Sequence, residues 1–358
     1  MLDYIQLIDR TFNDDCRRYV KTPFRWSGKD YVEELHSKLK GYQLISSKFF
    51  SVLKVMEPEN KFIKYSPKVR AICDGLIDCI NEYLKGSPQK AYNRFDKIIN
   101  DNFDNEVKFY DLSFWMNGRG NLYRAVSVDD NKKYGRDRCF HVPYNMREKV
   151  STSRFSIPGH PTLYLSDNIQ LCCEESNGSG NKLIARFHVD TSKAMFGPEM
   201  KVVDLSLQIE DLIGIINQFP NQRTTLKYII GYIMRMPIQI ACSFIRVNRN
   251  TPFAVEYVIP QILMQWIKED NDKDNIVGIK YKSCYNKFCS SLGNNYAFPS
   301  SGEKRENSNF CPILADGFLM TLPFNVSDYL STEELKKELE QAELKKSNLK
   351  NNSLNKIK

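Results

Sequence analysis

Arg124 is the residue whose surroundings most constrain its chemistry. It stands in Leu122-Tyr123-Arg124-Ala125-Val126, a run that follows the turn signals Asn117-Gly118 and Gly120-Asn121 and reads as a β-strand. Period two puts Arg124 on the face of Leu122 and Val126. A guanidinium among apolar groups needs an acceptor, either a core carboxylate or a bound anion, and its planar fork matches phosphate oxygens. Arg154 is a second candidate of the same kind. Glu174 and Glu175 end a short helix opened by Asp167-Asn168. A carboxylate held there could stabilise positive charge developing on a substrate, or it could be a solvated surface charge. Tyr123 and Tyr164 could stack on a ring or simply fill a core. Asn295 offers polar contacts, and Ser283 taken alone is uninformative.

Other chemistries find no support. There is no GxGxxG and no P-loop. His141, His160 and His188 are separated and lack a nucleophile pattern, and His141 before Val142-Pro143 reads as structural. Ten cysteines include no CxxC pair, so a structural zinc is not expected. The net charge of +8 over 358 residues permits nucleic-acid contact without arguing for it, because no Lys/Arg block interleaves with aromatics. With 42% hydrophobic and 26% charged residues the chain should fold as a globular protein of two domains, or one with a helical extension. The opening MLDYIQLIDRTFNDD lacks the apolar run of a signal peptide. The longest apolar stretch, around residues 228–245, is broken by Arg235 and Pro237, well short of a membrane span of roughly 20 apolar residues. The expectation is a cytoplasmic protein with reduced thiols and no membrane partner.

Several separated blocks occur in a suggestive order. Leu122-Tyr123-Arg124-Ala125 is followed by Phe140-His141-Val142-Pro143, then by Arg154-Phe155-Ser156-Ile157-Pro158-Gly159. Leu163-Tyr164-Leu165-Ser166 leads into Cys172-Cys173-Glu174-Glu175. Tyr257-Val258-Ile259-Pro260-Gln261, Gly278-Ile279-Lys280-Tyr281-Lys282-Ser283 and Asn295-Tyr296-Ala297-Phe298-Pro299 complete the set. In this order the blocks resemble the RES domain, named for its Arg, Glu and Ser. The resemblance implies a fold related to ADP-ribosyltransferases and an enzyme that cleaves the nicotinamide–ribose bond of NAD, with NAD as substrate and no metal. It implies the toxin of a bacterial toxin–antitoxin or defence system, restrained by an antitoxin protein. ADP-ribose would pass to phosphate, to water or to a protein acceptor. In the family pattern the glutamate lies eleven residues after the strand tyrosine, which selects Glu175, with Glu174 as the alternative. Bond cleavage develops an oxocarbenium-like ribose, the state a fixed carboxylate stabilises. The resemblance makes Arg124, Glu175 and Ser283 catalytic, with Ser283 orienting the nicotinamide end, and Arg124, Tyr123, Arg154, Tyr164 and Asn295 the groups that bind NAD. Protein-modifying relatives often carry Glu or Gln two residues before the catalytic glutamate. Cys173 stands there, which favours NAD breakdown over transfer to arginine. Two other readings stay open: a protein ADP-ribosyltransferase, and a non-catalytic module that binds protein or nucleic acid.

The elements that must position these residues read as α+β, an ADP-ribosyltransferase-like central sheet with flanking helices after an α-helical bundle. Residues 1–105 form the helical part. Apolar Tyr31, Leu35, Leu39, Tyr42, Leu44, Phe49 and Leu53 recur at helical spacing over residues 30–54. Ser66-Pro67 and Ser87-Pro88 each open a further helix, serine as N-cap and proline at the first helical position, with Leu84 on the apolar face before Gly86. The bundle would serve docking or association with a second copy. Residues 106–325 form the RES-like domain, with strands at 162–165, 182–189 and 276–281 and helices at 205–217, 225–236 and 256–270. The helices over 205–236 exceed what a compact RES domain needs. Residues 326–358 form a polar tail that is helical and then disordered.

Overall fold

A computed structural model describes residues 4–109, 114–115, 121–128, 134–176, 181–190, 201–218, 222–248, 251–274, 276–301 and 308–326. The expected turn at 117–120 and the tail from residue 327 lie outside the described residues. The helices are α1 (Tyr4–Thr11), α2 (Arg17–Val20), α3 (Tyr31–Met56), α4 (Ser66–Leu84), α5 (Pro88–Asn102), α6 (Ile169–Glu175), α7 (Ile209–Ile216), α8 (Gln222–Ala241), α9 (Val258–Asp274), α10 (Lys287–Leu292) and α11 (Pro312–Gly317). The strands are β1 (Phe24–Arg25), β2 (Phe114–Trp115), β3 (Leu122–Ser127), β4 (Thr162–Ser166), β5 (Lys182–Val189), β6 (Lys201–Leu205), β7 (Phe244–Ile245), β8 (Ile276–Lys282), β9 (Asn294–Pro299), β10 (Phe318–Met320) and β11 (Phe324–Asn325). The class is α+β, as the sequence implied.

The chain divides into two compact units. The first holds residues 1–114, 153–155 and 203–276; the second holds 115–152, 156–202 and 277–358. Residues 203–276, which the sequence reading places in a domain over 106–325, therefore pack with the N-terminal helices. The contacts show why. Tyr31 donates its hydroxyl to the Ala241 carbonyl at 3.2 Å, and Trp266 Nε1 donates to Asp96 Oδ1 at 3.1 Å. The most telling contact involves Pro237, which sits inside α8. Proline has no N–H to give the carbonyl four residues back. That carbonyl belongs to Ile233, and the buried Tyr42 hydroxyl of α3 donates to it at 2.8 Å. One buried acceptor is thus satisfied by an element about 190 residues away, and α8 runs on to Ala241 instead of ending near residue 236.

Local signals worked with small corrections. Asp30 caps α3 by accepting from Glu33 N at 2.8 Å. Ser66 is already helical, because the 3-10 turn Lys61–Tyr65 flows into α4, and neither Ser66 nor Ser87 caps with its side chain. Leu44 and Leu84, read as core-facing, are 75% and 48% exposed. The helix expected over 205–217 is split. Leu205 ends β6, and Asp204 turns the chain by accepting from Ser206 N at 2.7 Å, so that α7 starts at Ile209.

In the second unit the strands run in the order β10-β5-β3-β4-β9-β8, with β11 also on β5, and the pairings are antiparallel. Leu122, Val126, Leu163, Leu165, Ala185, Phe187 and Phe298 build a core on one face. On the other face α6 lays Ile169 and Cys173 against Ile184, Tyr123 and Ala125.

Candidate active site

The cluster with chemical potential is built on that second face. Register places Tyr123 opposite Ser166, Ser166 opposite Asn295, and Asn295 opposite Tyr281. Cross-strand partners share a face, so Tyr123, Ser166, Asn295 and Tyr281 form one row across four strands. Glu175, the last residue of α6, meets this row. Asn295 Nδ2 donates to Glu175 Oε1 at 2.9 Å and to Oε2 at 3.0 Å, and the Ser283 hydroxyl donates to Oε1. Ser283 in turn accepts from Tyr285 N at 3.2 Å, which orients its oxygen. Ser283 and Asn295 are buried, at 0% and 5% exposure. A half-buried carboxyl group so held is fixed in its orientation. Glu174 is exposed, so of the two adjacent carboxylates it is Glu175 that joins the cluster.

The helix bearing Glu175 is anchored at both ends. Asn168 caps it by accepting from Leu171 N at 2.9 Å. At its C-terminus Lys182 donates to the Ser176 carbonyl at 3.1 Å and to that of Cys173, a cation where the helix dipole favours one. Cys172 donates its thiol to the Tyr123 carbonyl at 3.1 Å, tying the helix to β3. Burial pushes that thiol's pKa upward; the nearby Cys173 and Glu175 push it further, and Arg124 opposes them.

Arg124 shares its face with Leu122 and Val126, opposite Ala185. Its Nη1 donates to the Tyr164 carbonyl at 3.1 Å, across to β4, which pairs with β3 at Tyr123 and Ser166. Its Nε is buried and has no hydrogen-bond partner. Burial lowers the guanidinium's pKa from its usual value, while Cys139, Cys172 and Tyr164 oppose that. Register thus sets Arg124 on the face of Leu122, Val126 and Ala185, opposite the row that meets Glu175.

The remaining candidates differ in placement. Tyr164 is half-buried on the row's face of β4. Tyr123 packs against Ile169 and Ile184, a core role. Arg154 is not part of the cluster. It belongs to the first unit, where Nη1 donates to the Cys242 carbonyl at 3.1 Å, Nη2 donates to that of Phe244, and the guanidinium lies 4.8 Å from the Tyr257 ring centroid. Tyr281 and Lys182 were not singled out from sequence. Tyr281 had a readable signal, two residues before Ser283 on a predicted strand; Lys182 had none, since a lysine opening a strand is ordinary. An open groove of about 400 Å³ lined by Asn121, Arg186, His188, Leu319, Met320 and Thr321 includes none of the Glu175 cluster. Among the described residues no three His, Cys, Asp or Glu side chains group as metal ligands, and no helix is long and apolar enough to cross a membrane.

Fold and cluster together define an α+β protein with Arg124 on a strand of the antiparallel sheet, Glu175 at the end of a helix packed on that sheet and Ser283 just past the end of another strand. Over 329 residues the chain is 27% identical to "Putative toxin YopC" of Bacillus subtilis (strain 168), an alignment that covers 88% of this chain and 67% of that protein. No family model matches, so a RES domain is not shown. No solved structure matches either.

Proposed function

We propose that this chain is a toxin that consumes NAD by cleaving the nicotinamide–ribose bond. The observation that carries the reading is the Glu175 carboxylate, held by Ser283 and Asn295 from chain positions 108 and 120 residues away. A protein gains little by burying and bracing a carboxylate unless the charge is used, because burial itself disfavours the ionised form. The similarity to a protein described as a toxin supports the biological side of the reading. In the reaction the glycosidic C–N bond breaks, the electron pair leaves with nicotinamide, and positive charge appears on the ribose. Glu175 stabilises that charge as it forms. Arg124, whose buried Nε lacks an acceptor, binds a phosphate oxygen of the dinucleotide. Tyr164 packs on a ring. Phosphate, water or a protein side chain then attacks the ribose carbon, and an antitoxin protein restrains the activity in the cell.

The test is nicotinamide release from NAD by the purified chain, with and without phosphate. Release is expected, and Glu175→Gln should lower it at least about a hundredfold with the fold intact. Folded wild-type protein that releases no nicotinamide in either condition would overturn the reading.

A further inference from the structure

The sequence reading gives Asn295 to the dinucleotide. We infer that Asn295 is instead a positioning residue, whose carboxamide holds the Glu175 carboxylate in its working orientation; this rests on the NAD-cleaving reading. Its Nδ2 reaches both carboxylate oxygens, at 2.9 and 3.0 Å, so its donor hydrogens are directed at Glu175. The chain around it is built to deliver that amide. The preceding residue, Asn294, donates its backbone N to Asp167 Oδ1 at 2.7 Å and its Nδ2 to Asp167 Oδ2 at 2.8 Å. Asp167 directly precedes Asn168, the cap of α6. In return Asp167 N donates to the Asn294 carbonyl at 3.1 Å. Gly293 permits this approach, since a Cβ there would meet Asp167 Oδ1 at 2.4 Å. The start of β9, which carries Asn295, is thus locked to the start of α6, whose far end carries Glu175. Seven residues of helix leave little slack between the lock and the carboxylate.

The decisive variant is Asn295→Asp, nearly the same shape, which replaces an amide donor with a carboxyl group that donates only when protonated. The titratable groups on the elements that meet Glu175 include Cys172, Cys173 and Glu174 on its own helix, Lys182 at that helix's end, Tyr123 on β3 and Tyr281 on β8. All are shared by wild type and variant, so a difference between the two pH profiles belongs to position 295. Nicotinamide release by Asn295→Asp should fall at least tenfold above neutral pH and recover toward acid, where the two carboxyl groups share a proton, with KM for NAD within about twofold of wild type. Asn295→Ala should lose kcat at every pH at similar KM. A raised KM with unchanged kcat, or a wild-type pH profile in Asn295→Asp, would overturn the positioning role alone. An inactive wild-type chain would overturn the NAD reading and this role with it.

Discussion

The Ser283 hydroxyl donates to Glu175 Oε1 across 108 residues of chain, from the end of β8 to the end of α6. This contact alters the role that resemblance assigns to the serine. In the NAD-cleaving reading proposed above, a hydroxyl committed to the carboxylate orients Glu175, whereas the sequence reading has it orient the nicotinamide end. Ser283→Ala removes one donor to a charged acceptor, an interaction worth about 1.5–3 kcal/mol. The expected result is a loss in kcat of roughly 10–100-fold with KM little changed. Steady-state kinetics of nicotinamide release check it. A rise in KM alone would return the serine to the ligand.

Arg124 is the residue whose unpaired buried Nε asks for an anion. Lysine keeps the charge and loses the fork, so Arg124→Lys should raise KM for NAD about tenfold or more and affect kcat less. The variant also gives up the hydrogen bond to the Tyr164 carbonyl, so its circular dichroism must match wild type before the kinetics are read. An unchanged KM in a folded variant would remove Arg124 from dinucleotide binding.

Tyr42 and Pro237 supply a test of the first unit that needs no activity. Tyr42→Phe leaves the buried Ile233 carbonyl without the hydroxyl that replaces a missing N–H, at a cost of about 1–3 kcal/mol. Adding Pro237→Ala restores a backbone donor at that turn of α8, so the double variant should recover much of the loss. Urea unfolding of the wild type, the two single variants and the double variant measures this as a non-additive cycle. Strict additivity would show that the hydroxyl does not stand in for the backbone.

His141 makes the second unit sensitive to acid. Its Nε2 accepts from Cys311 N at 2.9 Å, so the ring proton lies on Nδ1, facing the Val142 carbonyl at 2.8 Å. Burial, with lesser effects from Arg124 and His160, lowers its pKa from 6.5 to about 4, and the side chain is 1% exposed. The folded value lies below the unfolded one, so the unfolded chain binds this proton first. The stabilisation is complete above about pH 6.5 and is lost as pH falls toward 4, a swing of about 3 kcal/mol. Denaturant titrations from pH 7 to 4 should show it, and His141→Gln should flatten this part of the curve. An equal acid loss in the variant would assign the effect to other groups.

Read by itself, the sequence determined what is local or periodic. Helical spacing marked α3, the Ser-Pro openings marked α4 and α5, period two put Arg124 with Leu122 and Val126, and Asp167-Asn168 announced α6. Each is governed by neighbours within a few residues, through side-chain periodicity or a cap. The motifs that supply the Glu175 cluster were legible in their order, and Glu175 as a position among them. Only the tertiary structure decided who serves whom. Arg154 is drawn to the carbonyls of Cys242 and Phe244 in the first unit, although its motif stands between those of Arg124 and Tyr164. Residues 203–276 join the N-terminal helices because Tyr31, Tyr42 and Asp96 find their partners there. Ser283 and Asn295 turn to Glu175, leaving exposed Glu174 aside, because strand register and the Asp167–Asn294 lock bring them there. Such contacts join residues about 90 to 210 positions apart, and no local propensity encodes them. They follow from the requirement that every buried donor, acceptor and charge find a partner once the chain has closed on itself.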